Sequence, residues 1–309
     1  MRSGKIYNLP LDKFINLSLY EKNSGYYMKK NPFKKKGDFI TSPNISRLFS
    51  EMIAIWVISF WQSLGSPRKI NLVELGAGNG EMMKDLYESF QNFPSFFNSC
   101  NFIIHEKSPF LIKVQKKKLN KAKIIWTSKI NKIGKIPSIF IANEFFDALA
   151  IKQYRKDKNL WYEKFVSIKD PRKAFFFEKK IDLKKIEKKI NFRISQNQSF
   201  IEYSELGFQY LKDISSIIKR NTGGLLLIDY GHTDNKMKNS LQAVSNHKFA
   251  KILDNISNAD ITHSISFNLY KRFIEHLGGL KNNITTQKDF LLKMGIEKRA
   301  EIISQNLNF

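Results

Sequence analysis

Short apolar runs alternate with stretches of helical period along most of this chain. Residues 70–75 read I-N-L-V-E-L, a run whose length suits a strand buried on both faces. Beyond it Met82, Met83, Leu86 and Phe90 recur at helical spacing. Residues 101–105, 123–126, 138–142 and 223–229 are further short apolar runs, while residues 108–121 and 204–220 read as helices. Strands alternating with helices predict an α/β fold on a parallel sheet. Ahead of the sheet, residues 5–30 have a helical pattern. Residues 44–61 predict a long apolar helix, capped by Ser42 or Asn44 with Pro43 in its first turn. After the fourth strand the texture changes: residues 153–177 alternate in short runs, which predicts hairpins. Residues 235–259 look loop-like, residues 268–277 helical, residues 284–286 strand-like, and residues 290–294 form a final helix. The expected organisation is an N-terminal helical region over 1–68 and a core over 69–309, with 151–203 inserted after the fourth strand.

The densest chemistry follows the first core strand. Gly76, Gly78 and Gly80 stand at alternate positions around Ala77, after Glu74 at the strand end. Glycine there lets the backbone turn sharply and lets a ligand approach with no Cβ in the way. A dinucleotide site begins similarly, but its spacing is G-x-G-x-x-G. The spacing here, E-x-G-x-G-x-G, resembles that of class I S-adenosylmethionine (SAM) methyltransferases, which have a Rossmann-like doubly wound sheet. SAM carries a sulfonium cation, an amino-acid tail and a ribose but no pyrophosphate, so nearby carboxylates suit it. The glycine loop is expected against the tail. The second strand closes at Glu106, where an acid can take the ribose hydroxyls. The third closes at Thr127 and Ser128, where adenine contacts would fall. Asp38 and Thr41, in the turn before the long helix, are further cofactor candidates, with plain turn chemistry as the alternative.

Bulk properties narrow the class. No apolar run approaches the roughly 18–20 residues of a membrane helix, and the N-terminus lacks a signal-like apolar region. A single cysteine, Cys100, excludes an internal disulfide framework or a Cys-based zinc cluster and points to a reducing compartment. The net charge is +24, from 52 basic and 28 acidic residues. The lysines scatter over expected helix surfaces, with one dense run at 182–189, so a solvated basic surface is favoured over a nucleic-acid face.

Six motifs occur in one order: G-D-F-I-T-S-P at 37–43, V-E-L-G-A-G-N-G at 73–80, N-E-F-F-D-A-L at 143–149, I-D-Y-G-H at 228–232, L-Q-A-V at 241–244 and D-I-T-H at 260–263. Together they resemble the MidA family, over about residues 5–299. The resemblance implies a class I methyltransferase with SAM as cofactor. It implies an N-terminal helical region and an insertion after the fourth strand that serves a substrate or partner. Family members include protein-arginine methyltransferases that assist assembly of respiratory complex I, so the implied substrate is an arginine on a protein such as a quinone-module subunit. The implied location is a bacterial cytoplasm or a mitochondrial matrix. The chain departs from the family in reading G-A-G-N-G and H-E-K-S-P, and in stopping at Phe309.

An arginine acceptor sets a chemical requirement, because guanidinium is protonated at physiological pH. Carboxylates can hold it in bidentate pairs and polarise it until one nitrogen is nucleophilic. Glu144 and Asp147 stand three apart after the fourth strand, with Asn143 before them as a cofactor or acceptor ligand. Asp229 and His232, after the fifth strand, are expected to complete the pocket. For His263 a structural role is the better expectation, and Asp147 has a plainer alternative as the cap of a following helix. Two rival functions remain in view. A nucleic-acid base methyltransferase fits the charge, but acids at 144 and 147 would repel phosphate. A non-catalytic SAM-binding assembly chaperone would grip a partner through 151–203.

Overall fold

The computed structural model describes residues 6–29, 46–170, 173–245, 248–254 and 256–305. In chain order they form β1 (Tyr7–Pro10), α1 (Leu11–Tyr20), α2 (Tyr26–Lys29), α3 (Arg47–Ser63), β2 (Ile70–Leu75), α4 (Glu81–Phe90), α5 (Pro94–Ser99), β3 (Cys100–His105), α6 (Pro109–Lys118), β4 (Ile124–Thr127) and β5 (Ser138–Asn143). There follow β6 (Lys152–Asp157), β7 (Leu160–Asp170), β8 (Lys173–Ile181), α7 (Leu183–Ile190), β9 (Phe200–Tyr203), α8 (Glu205–Asn221), β10 (Gly223–Ile228), β11 (Gly231–His232), β12 (Gln242–Ser245) and β13 (Lys248–Ala250). The last elements are β14 (Asp260–Thr262), β15 (Ile265–Ser266), α9 (Phe267–Leu277), α10 (Gln287–Lys293) and α11 (Ile296–Gln305). The chain packs as two units, one of residues 31–143, 216–228 and 283–309, the other of 1–30, 144–215 and 229–282. That division cuts the expected region 1–68 near residue 30, and it makes the expected insertion one part of a larger unit.

The first unit is a five-stranded parallel sheet in the order β10-β5-β2-β3-β4. β2 is buried throughout, as is β5 up to Ala142, which is why both read as unbroken apolar runs. Phe49, Ile53, Val57 and Trp61 of α3 share one core with Leu86 and Phe90 of α4 and Leu72 of β2. Asn71 breaks the apolar run without a stranded polar group. Its amide donates to Ser138 Oγ at 3.2 Å and its oxygen accepts from Asn101 at 3.1 Å. The order puts β2 at the centre, with β3 and β4 to one side and β5 and β10 to the other. The point where the winding reverses, at the carboxyl ends of β2 and β5, is where such sheets bind ligands.

Helix ends follow cap chemistry. Ser46 caps α3, its Oγ accepting from the Leu48 amide at 3.2 Å. The expected caps Ser42 and Asn44, with Pro43, lie outside the described residues, as do Asp38 and Thr41. The strand expected at 284–286 is absent. Thr286 instead caps α10 by accepting from the Asp289 amide at 3.1 Å. The chain then forms α11, which a bidentate pair from Arg299 to Glu51 ties to α3.

The second unit carries an antiparallel sheet, β1-β7-β6-β9, with β8 along the other edge of β7. The hairpins expected over 153–177 are β6, β7 and β8. Residues 7–10, expected to be helical, form β1 against β7 because Pro10 favours an extended residue before it and suits a strand end. Residues 235–259, expected to be loop, contribute β12 and β13. These strands pair with each other and β12 pairs with β14, and they are too short to show a period.

Candidate active site

In the parallel-sheet unit, Gly76, Gly78 and Gly80 all have positive φ, at 65°, 53° and 82°. Each lies in the left-handed region that favours glycine, so the spacing read in the sequence is a backbone requirement. Gly80 leads into α4, and the Gly76 amide donates to the His105 carbonyl at 2.9 Å, fastening the loop to the end of β3. Ala77 is buried in this loop.

Glu106 follows β3 and is buried. Its Oε1 accepts from the amides of Lys107 and Ser108, both at 2.8 Å, and its Oε2 from Gln115 Nε2 at 3.1 Å. A carboxylate has about four acceptor sites, so room remains for a hydroxyl. Burial raises its pKa against the pull of those three donors. Glu74 is 3% exposed, and its Oε2 has no hydrogen-bond partner among the described residues. Burial, then the charge of Glu106, pushes its pKa up to about 8. A buried acid so placed fits a cationic ligand group, since the cation restores what burial removes. Thr127 ends β4 beside His105, and its carbonyl accepts from the Glu106 amide at 3.1 Å. Ser128 is exposed beyond it, and Asn143 ends β5 half-buried. The loop and the ends of β2 and β3 thus bring together backbone groups, the buried acids Glu74 and Glu106, and Thr127.

Gln115 is the residue that sequence reading missed. It is fully buried, donates to Gly78 O at 2.9 Å as well as to Glu106, and accepts from Trp126 Nε1 at 3.0 Å. Its only signal was a polar side chain four residues after Leu111, on the inward face of α6.

The other unit holds the acids. Glu144 turns the chain away from β5 with φ +48°, a conformation that costs a non-glycine residue on the order of 1 kcal/mol. No helix starts at Asp147; the next element is β6, so the capping alternative falls away. Asp229 Oδ2 accepts instead from the amides of Phe146 at 3.0 Å and Asp147 at 3.2 Å, and its Oδ1 from that of Tyr230 at 2.9 Å. Asp147 is buried, and its pKa stands well above the usual carboxylate range. Desolvation is the main cause, followed by the charges of Asp229, Asp260 and Glu144. Desolvation likewise lifts Asp229 to about 7. Asp260, in the D-I-T-H motif but not expected at the site, joins this cluster, and Tyr27 donates to its Oδ2 at 2.7 Å. Among the described residues, no lysine or arginine pairs with Asp147 or Asp229. His263 donates its backbone amide to the Asp147 carbonyl at 3.1 Å, and burial lowers its imidazole pKa to about 4. It is a neutral structural support. His232, expected in the pocket, sits on β11 against β15 with Nδ1 3.9 Å from Asp234 Oδ2, and among the described residues no hydrogen bond joins it to Asp147 or Asp229.

Comparison with known proteins gives the family and the fold. Residues 52–285 match a family described as "Putative S-adenosyl-L-methionine-dependent methyltransferase". "Protein arginine methyltransferase NDUFAF7, mitochondrial" of Xenopus tropicalis is 30% identical over 317 residues, covering 90% of this chain and 70% of that protein. The Homo sapiens protein of the same name is 28% identical, covering 92% and 69%. A COG1565 superfamily member from Burkholderia thailandensis, solved with S-adenosyl-homocysteine bound, shares the fold at TM-score 0.78. It is 19% identical, covering 95% of this chain and 79% of that one.

Proposed function

The chain belongs to the family of SAM-dependent methyltransferases that its residues 52–285 match, and we propose that it methylates an arginine of a protein. The observation that carries this reading is the carboxylate cluster. Asp147 and Asp229, joined by the charges of Glu144 and Asp260, are held with raised pKa values and no lysine or arginine on the first two among the described residues. A guanidinium is the countercharge that Asp147 and Asp229 lack among the described residues, and its planar fork matches paired carboxylates. The names of the curated relatives support the same acceptor. A phosphate backbone would be repelled there. The substrate protein is proposed to be a quinone-module subunit of respiratory complex I, in keeping with the family resemblance.

Bound SAM supplies a methyl group on a sulfonium, open to in-line displacement. The chain's own work is placement. The glycine loop and Glu74 receive the amino-acid tail, and Glu106 the ribose. Asp229 pins the turn of residues 146–147 through two amides. Asn143 ends β5, and Glu144 follows it in the chain. Glu144 and Asp147 hold the guanidinium and orient one nitrogen. Burial raises the proton affinity of Asp147, so once a bound guanidinium has ionised it, it can accept the proton the guanidinium gives up. The test is to incubate the full chain with methyl-labelled SAM and a lysate from cells lacking it. Label recovered as methylarginine in protein supports the reading; label in nucleic acid, in lysine, or nowhere contradicts it.

A further inference from the structure

The strand β8 reads K-A-F-F-F-E-K-K-I, and three consecutive phenylalanines are unusual for a strand that pairs on one side only. Among the described residues its single strand neighbour is β7, and no other described strand pairs with the row of backbone donors and acceptors on its outer edge. Phe175 is 47% and Phe176 39% exposed. Register places Phe177 opposite Phe165, so Phe165, Phe175 and Phe177 share one face while Phe176 lies on the other.

Cations surround these rings. Lys179 Nζ lies 4.6 Å from the Phe165 centroid and 5.6 Å from that of Phe177, Lys164 Nζ 5.3 Å from Phe176, and Lys169 Nζ 5.8 Å from Phe175. Two acids nearby are already paired. Arg155 holds Glu178, with contacts down to 2.7 Å, and Lys152 holds the buried Glu163 at 2.8 Å. Among the described residues Lys169 of β7 and Lys173, Lys179 and Lys180 of β8 have no ion pair, while Lys164 is partly buried near Glu178 and Glu202. Lysines alone would be ordinary protection of an edge against aggregation. Protection does not account for exposed phenylalanine on both faces of the same strand.

We propose that β8 is a docking edge for an extended acidic segment of a partner protein, which adds beside it as a further strand. The free edge supplies main-chain bonds, the phenylalanines pack the alternate side chains on either face, and the lysines select acidic residues. A nucleic acid fits less well. Base stacking needs open ring faces on one platform, whereas lysines cover these rings and they divide between two faces. A second copy of this chain would bring the same lysines against these.

The test uses the full chain and fluorescence anisotropy with a short labelled peptide alternating glutamate and valine. Two controls are the same peptide with alternate amides N-methylated and a lysine–valine peptide of equal length. Binding of the acidic peptide is expected. N-methylation should weaken it about ten-fold or more, as should F175S/F176S in a variant whose circular dichroism and SAM affinity are unchanged. The lysine–valine peptide should not bind. Equal binding of the N-methylated peptide, tighter binding of a single-stranded RNA oligonucleotide, dimerisation that the variant abolishes, or no peptide binding would each overturn the proposal.

Discussion

Gln115 Nε2 donates to Glu106 Oε2 at 3.1 Å, and the same nitrogen donates to the Gly78 carbonyl at 2.9 Å. One buried amide thus fastens the acid proposed for the ribose to the loop proposed for the tail, while Trp126 holds its oxygen. Gln115→Ala leaves those buried groups without partners, at about 1–3 kcal/mol. SAM affinity should fall on the order of ten-fold or more. Gln115→Glu, which sets a carboxylate against Glu106 and the Gly78 carbonyl, should fall further. Calorimetry on folded variants checks this, and unchanged affinity would show that the clamp does not set the site.

Glu106→Ala should weaken SAM binding by about 1.5–3 kcal/mol, roughly ten- to a hundred-fold, because a charge-assisted contact is lost. The comparison with 5′-methylthioadenosine, which keeps the ribose and lacks the amino-acid tail, separates the roles. Its affinity should fall with Glu106→Ala and stay level with Glu74→Gln.

The core of the parallel sheet was legible because parallel strands buried on both faces are nearly continuous apolar runs, as at residues 70–75 and 138–143. The glycine loop was legible because three positive φ values demand three glycines. Other features depend on partners distant in sequence. β1 exists because β7 accepts it, and β12 because β14 does. Gln115 reaches Gly78 across 37 positions and Tyr27 reaches Asp260 across 233. No local pattern encodes either meeting.

Burial gives the free protein a defined pH response. Glu74 has its pKa raised from an ordinary 4.5 to about 8, so it is mostly neutral at pH 7. A cationic tail favours the ionised form, so binding should release a proton. SAM affinity should therefore rise as pH climbs through about 8, and Glu74→Gln should flatten that rise. Calorimetry in buffers of different ionisation heat reads the proton directly.

The same shift has a consequence for stability. A group whose folded pKa lies above its unfolded value contributes stability that is complete below the unfolded pKa and is lost as pH rises through the folded one. Glu74, with Asp229 at about 7, therefore makes the ligand-free chain less stable as pH goes from about 4.5 to about 8. The melting temperature should fall across that window, and saturating SAM should reduce the fall. A melting temperature that rises instead would mean these acids are not buried in solution.

The central claim is that Glu144 and Asp147 hold an arginine for methylation. Glu144→Gln and Asp147→Asn keep shape and remove charge, one at a time. The decisive measurement is the single-turnover rate of methyl transfer to an acceptor protein, read by mass spectrometry as methylarginine, beside SAM affinity by calorimetry. The account predicts that SAM affinity persists within a few-fold while transfer falls by about a hundred-fold or more in each variant. Normal rates of arginine methylation in both variants would contradict it.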